Sequence, residues 1–178
     1  MGGPRRTMPS RSPLPPPPVD AHADAILLFV APSPNDTNGN GYADQVEATV
    51  HLFDRRYPLP FHEEGAFVFM LFPPAEGGNP GAEPIFTWRY EGAALAICKA
   101  RSALGPCYTF APNLLEHGSD ELSIFNADLV CSFEPADGRG PVHAGSIPSL
   151  QVGRRVLVPS TKWHVTDKPA DEPGSSAP

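Results

Sequence analysis

Val46-Glu47-Ala48-Thr49-Val50-His51-Leu52-Phe53 sets apolar Val46, Ala48, Val50 and Leu52 against polar Glu47, Thr49 and His51. A side-chain period of two puts the first set on one face of an extended chain and the second on the other, as in a strand with one face in a core. The same alternation recurs where Phe125, Ala127, Leu129, Cys131 and Phe133 oppose Asn126, Asp128 and Ser132. Residues 25–31 and 66–72 are unbroken apolar runs bounded by proline or glycine, which read as strands buried on both faces. Shorter strand candidates occupy residues 85–90, 107–111, 142–147 and 150–158, with turn-forming clusters at 54–58, 77–80 and 137–138. The expected class is all-β, a two-sheet antiparallel sandwich with one short helix.

That helix is predicted over residues 91–104, which are alanine-rich, align Ala94, Leu95, Cys98 and Ser102 on one stripe and stop at Gly105-Pro106. Laid over one sheet, it accounts for strands that are apolar on both faces; an oligomer interface is the alternative account.

Of 24 prolines, seven precede Ala21 and four stand at or after Pro159, so the ends differ from the body. Residues 1–22 read as a disordered Pro-rich segment, 23–158 as the sandwich domain and 159–178 as a disordered tail in which Trp163 alone has a packing face. The chain carries 13 Lys and Arg against 20 Asp and Glu, for a net charge of −7, and its only paired arginines are Arg5/Arg6, Arg55/Arg56 and Arg154/Arg155. Nucleic acid, which needs clustered basic residues, is excluded as a partner, and the arginine pairs read as solubility devices. No apolar run is long enough for a membrane-spanning helix. Arg5 and Arg6 hint at an export signal, but the prolines that follow interrupt its hydrophobic region. With three cysteines, Cys98, Cys107 and Cys131, at least one stays free; Cys98 and Cys107 are close enough in sequence to pair, and buried thiols are the preferred reading.

The connection after the first apolar run holds the sharpest motif. Asp36-Thr37-Asn38-Gly39-Asn40-Gly41-Tyr42-Ala43-Asp44-Gln45-Val46-Glu47 matches D-x-[DN]-x-[DN]-G-x5-E at every specified position. A hard cation of calcium's size takes six to eight oxygens, and side chains at alternate positions converge only if the chain then turns sharply, which Gly41 allows. Asp36, Asn38 and Asn40 would give side-chain oxygens, Tyr42 its carbonyl, Asp44 an oxygen directly or through water, and Glu47 a closing carboxylate. Asn38-Gly39 and Asn40-Gly41 also make tight hairpin turns without an ion, which is the competing reading.

These twelve residues resemble the EF-hand loop, and more closely the loops of thrombospondin type 3 repeats and dockerins. The resemblance implies a calcium site; strands in place of helices on both sides, Ala43 at a position that usually holds a larger aliphatic residue, and the lack of a second loop imply a weak structural site, at about 10⁻⁵ to 10⁻³ M. That range suits an extracytoplasmic or cell-surface setting. The wider pattern looks like bacterial surface or lipoprotein-type sandwich domains of immunoglobulin-like or C2-like form.

No other motif carries chemistry. His62-Glu63-Glu64 lacks the second histidine of a zinc protease and reads as a solvated turn; Glu116, His117, Asp120 and Glu121 read as a wet loop. Asp128 faces outward and could reach His51 or Arg89 across the sheet, without making an acid/base pair. The functional expectation is a non-enzymatic binding or assembly module for a protein or glycan partner. A carbohydrate-binding or carbohydrate-active sandwich using Tyr57, Trp88, Tyr90 and Tyr108 is one alternative, and a metal-free interaction domain is another.

Overall fold

Alternation becomes burial along β2 (Ala48–Phe53), where Ala48, Val50 and Leu52 are sealed on one face. The computed structural model describes residues 16–123 and 126–153. The remaining strands are β1 (Ala25–Val30), β3 (Gly65–Phe72), β4 (Phe86–Glu91), β5 (Lys99–Ser102), β6 (Gly105–Phe110), β7 (Ala127–Pro135), β8 (Val142–His143) and β9 (Ile147–Leu150). They form two antiparallel sheets, one in the order β1-β2-β6-β5 and the other β4-β3-β7-β8, with β9 also on β7. The chain is the two-sheet antiparallel sandwich its alternation predicts. The N-terminal and C-terminal arginine pairs, Phe125, Trp163 and the end of the strand expected at 150–158 lie outside the described residues.

The sheets are joined through aromatic rings. Phe67 of β3 packs its ring centroid 4.9 Å from both Tyr108 of β6 and Phe133 of β7, and 5.0 Å from Phe110 of β6. Phe69 and Tyr90 each reach Phe110 at 4.9 Å. Removing such a side chain from water is worth roughly 1.5–3 kcal/mol, and tilted ring pairs add about 0.5–1.5 kcal/mol. Of the four aromatic residues named for a glycan surface, Tyr57, Trp88 and Tyr108 are buried in this core and Tyr90 is half-buried beside it.

The two apolar runs have different fates. β3 is central and buried on both faces, whereas β1 is the last strand of its sheet and exposes Leu27 and Phe29. An apolar run by itself does not distinguish these cases. The outer face of β3 is covered by the Arg89 ion pairs with Glu91 and Glu134, and the adjoining outer face of β7 by residues 73–81, which fold back so that Gly77 donates its N–H to Asp128 at 3.3 Å. The helix does not supply that cover.

Instead α1 spans only Gly92–Ile97, and of its residues only Leu95 is buried. Glu91 provides no side-chain cap, and no acidic or basic residue complements the dipole at either end. Residues 99–102 gain more as β5, whose four positions pair with β6 from Ser102↔Gly105 to Lys99↔Tyr108. Ladder hydrogen bonds thus override alanine's helix propensity.

Three other sequence readings are corrected. Arg56 is not a solubility device: it grips buried Asp54 at 2.7 Å and Asp20 at 2.9 Å, holding the Asp54 carboxyl well below its ordinary value through their hydrogen bonds. Glu63 is no solvated turn residue, since it accepts the Ala23 N–H at 2.6 Å and pairs with Arg139. Asp128 and His51 lie in different sheets, and Asp128 accepts from Gly77 and Ser149 instead. Cys98, Cys107 and Cys131 are free thiols, as preferred from the sequence.

His51 lies on the polar face of β2 yet is 1% exposed, enclosed by Phe29 and Phe53. Its Nε2 meets Ser102 Oγ at 2.8 Å, while Nδ1 has no partner among the described residues. Burial disfavours the imidazolium and lowers its pKa. The unfolded chain therefore takes up a proton that the folded chain resists, and stability falls as pH drops below about 6.5. His51→Leu should flatten that part of the pH–stability profile measured by urea unfolding. Phe67→Ala should cost about 3–5 kcal/mol in the same measurement, since the cavity lies where three rings meet.

Candidate functional site

The connection between β1 and β2 turns on its own side chains. Asp36 accepts the Gly39 and Gly41 N–H groups, one on each carboxylate oxygen, both at 2.7 Å. Asn38 Oδ1 accepts the Asn40 N–H at 3.0 Å, and Asn40 Oδ1 accepts the Tyr42 N–H at 2.9 Å. Each short polar side chain thus holds the backbone two or more residues ahead. Gly41 takes φ 93°, a left-handed conformation that a Cβ makes costly.

Asp44 is fully buried, its two oxygens taking the Thr37 N–H at 3.2 and 3.0 Å and the Thr37 hydroxyl at 2.9 Å each. Backbone bonds lock this part of the loop to its surroundings. Asn35 and Gln45 form a bridge, Val46 N–H bonds Pro112 O at 3.0 Å, Leu114 N–H bonds Asp44 O at 2.8 Å, and Gly153 N–H bonds Ala43 O at 2.6 Å. Trp88 of β4 donates its indole N–H to Asn113 O at 3.1 Å, which brings the second sheet into the same corner.

Asp120 completes the cluster. It follows the 3-10 turn Leu114–His117, which Asn113 caps and Gly118 ends in a left-handed conformation. Its Oδ2 accepts the side-chain amides of Asn38 at 2.8 Å and Asn40 at 2.6 Å, and the residue is 7% exposed. These amide bonds, Asn38's first, lower its pKa. The sequence reading as a wet loop missed it, because nothing local marks one of four acidic or histidine residues as a partner for a loop about eighty positions earlier.

The motif residues therefore meet in part. Asn38 and Asn40 share Asp120, whereas Asp36 bonds Gly39 and Gly41 and Asp44 bonds Thr37; Tyr42 enters through its N–H; Glu47 turns its carboxylate to the Asn35 amide at 2.8 Å. Among the described residues, no group of three or more His, Cys, Asp or Glu is arranged to hold a metal ion. Nor does any described Lys or Arg pair with Asp36, Asp44, Glu47 or Asp120; the ion pairs lie elsewhere. The positive ends of amide and backbone dipoles are what face these carboxylates.

His51 and Ser102 form a further polar pair in the first sheet. Ser102 Oγ also accepts the Leu104 N–H at 3.0 Å, fixing the turn between β5 and β6, and no described group orients His51 from Nδ1.

No family model matches this chain, and neither a curated protein nor a solved structure matches it.

Asp44→Ala removes the charged acceptor of the Thr37 N–H and hydroxyl and should cost about 1–3 kcal/mol in urea unfolding. The lowered Asp120 pKa means that its contribution to stability is present above the ordinary carboxylate value of 3.8 and is lost as pH falls through the lowered one. Asp120→Asn should shrink the acid-induced loss of stability and speed amide exchange in residues 38–42, both read by hydrogen exchange against pH.

Proposed function

We propose that this protein is a non-enzymatic binding or assembly module whose β1–β2 connection is a structural calcium site. The observation that carries this reading is the corner's uncompensated charge. Asp44 and Asp120 are buried, Asp36 lies on the same loop, and no described basic side chain answers them. Buried carboxylates are ordinarily paired or coordinate a metal. The hydrogen bonds already present leave oxygen lone pairs on Asp36, Asn38, Asn40 and Asp120, oxygen being the ligand that a hard cation takes.

Asp120 takes the part that the sequence pattern gives to Glu47. A cation here would bring together the β1–β2 connection and the segment leading into β7, stiffening one end of the sandwich without moving a strand. Two of the oxygens belong to neutral amides, which keeps the affinity low, at about 10⁻⁵ to 10⁻³ M. The role is structural at that affinity, and extracytoplasmic calcium is concentrated enough to fill such a site. No helix among the described residues is long and apolar enough to cross a membrane.

Calorimetric titration with Ca2+ should give heat of binding in that range, and calcium at 100 times Kd should add about 2.7 kcal/mol to unfolding. Asp120→Ala should weaken binding more than Glu47→Gln does. Absence of heat together with a thermal melt unmoved by chelator would reject the ion and leave the metal-free hydrogen-bonded corner.

A further inference from the structure

Among the described residues, no strand pairs with the outer edge of the first sheet at β1. β1 reads Ala-Ile-Leu-Leu-Phe-Val, with no charged or polar side chain, no proline and an unbroken register against β2 from Ala25↔Phe53 to Val30↔Ala48. Edge strands are ordinarily blunted by lysine, proline or a bulge, because their free N–H and C=O groups template another strand. Leu27 is 38% and Phe29 50% exposed on the outer face.

The hydrogen-bond phase from Ala25 onward follows from the contact at the far end of the strand; before Ala25 the ladder is irregular, Asp24 N–H bonding Phe53 O at 2.9 Å. Ala31 N–H bonds Glu47 O at 2.9 Å, continuing the β1–β2 register by one position. In an antiparallel ladder alternate residues bond the same neighbour, so Ala25, Leu27, Phe29 and Ala31 face β2. The N–H and C=O groups of Ile26, Leu28 and Val30 point away from it, and no described backbone group bonds them.

We propose that β1 pairs with β1 of a second copy of this chain, antiparallel and centred on Leu28, so that the two four-stranded sheets run on as one. In that register Ile26 meets Val30 of the second copy, Leu28 meets Leu28, and Val30 meets Ile26. Every outward-pointing residue then finds an outward-pointing partner, giving about six hydrogen bonds, two for each such pair. A slip of one residue sets outward groups against inward ones, and a slip of two leaves an end unpaired. Leu27 lies opposite Phe29 of the second copy in the closely spaced, non-hydrogen-bonded position, which covers the exposed apolar side chains of both.

Local charge does not oppose pairing in this register. Asp24, the acidic residue next to the strand, falls opposite Pro32 of the second copy, so no like charges meet across the pair. An apolar groove of about 480 Å³ continues the surface from Phe29 past Ala31 to Phe110, extending what the second copy can cover. The net charge of −7 per chain repels two copies at long range, so added salt strengthens association instead of weakening it. This interface does not depend on any ion in the β1–β2 connection.

Sedimentation equilibrium of the full chain over about a hundredfold range of concentration tests the proposal. The expected mass moves from one chain to two, more readily at higher salt. The double variant Leu27→Glu, Phe29→Glu should stay at one chain, as should Leu27→Lys, Phe29→Lys, and an equal mixture of the two should regain the two-chain mass, since opposite charges then face each other. Because Phe29 also covers His51, the circular dichroism and thermal melt of each variant are compared with the parent's, and the regained two-chain mass of the mixture shows that both variants are folded. A parent chain that stays at one-chain mass throughout overturns the proposal, including when its β1 amides are protected from exchange by another part of the chain. A glutamate variant that still doubles its mass overturns it too, by placing the interface elsewhere.

Discussion

Taking the Asp44 carboxylate out of water costs free energy that hydrogen bonds or positive charge must offset, and one end of the sandwich is organised around that need. Thr37 supplies both a backbone N–H and a hydroxyl to it. For Thr37 to arrive there the chain must double back through the asparagine-glycine turns, whose own side chains hold the backbone. Those turns in turn present the Asn38 and Asn40 amides to Asp120. The corner is a sequence of dependencies, each step placing the donor that the next requires.

The corner matters to the fold because two distant segments, residues 112–114 and Gly153, are fastened to it. Backbone bonds fasten Ala43 to Gly153, Asp44 to Leu114 and Val46 to Pro112. The aromatic core holds the sheets face to face through non-directional burial, which tolerates sliding; the corner adds directional bonds that fix how the ends meet. The Asp54–Arg56–Asp20 ion pairs and the Glu63–Arg139 pair do comparable work elsewhere, tying loops that the hydrophobic core does not reach.

What the sequence made legible was local. The alternation of Ala48, Val50 and Leu52 declared a strand because side-chain period and burial are the same fact in a sheet, and the Asn38-Gly39 and Asn40-Gly41 dipeptides marked a tight turn, the reading that competed with calcium, because each residue acts on backbone a few positions away. Readings failed where the deciding partner was remote. The alanines after Glu91 favour a helix until β6 offers residues 99–102 a ladder. Asp120 and Glu63 look like ordinary wet acids until Asn38, Asn40, Ala23 and Arg139 are brought to them. The apolar run of β1 is as hydrophobic as that of β3, and only topology makes one an edge and the other a centre.

The side-chain amide groups of Asn38 and Asn40 offer the most direct reading of the corner, since both bridge the loop to Asp120. Their proton resonances in the full chain, followed by nuclear magnetic resonance as calcium is added, report both the bridge and its replacement. Slow solvent exchange before calcium, and saturable shifts confined to these two groups and their loop as the ion enters, are the predicted result. Amides that exchange as freely as those of an unfolded asparagine, and that stay unmoved by calcium, would contradict the account.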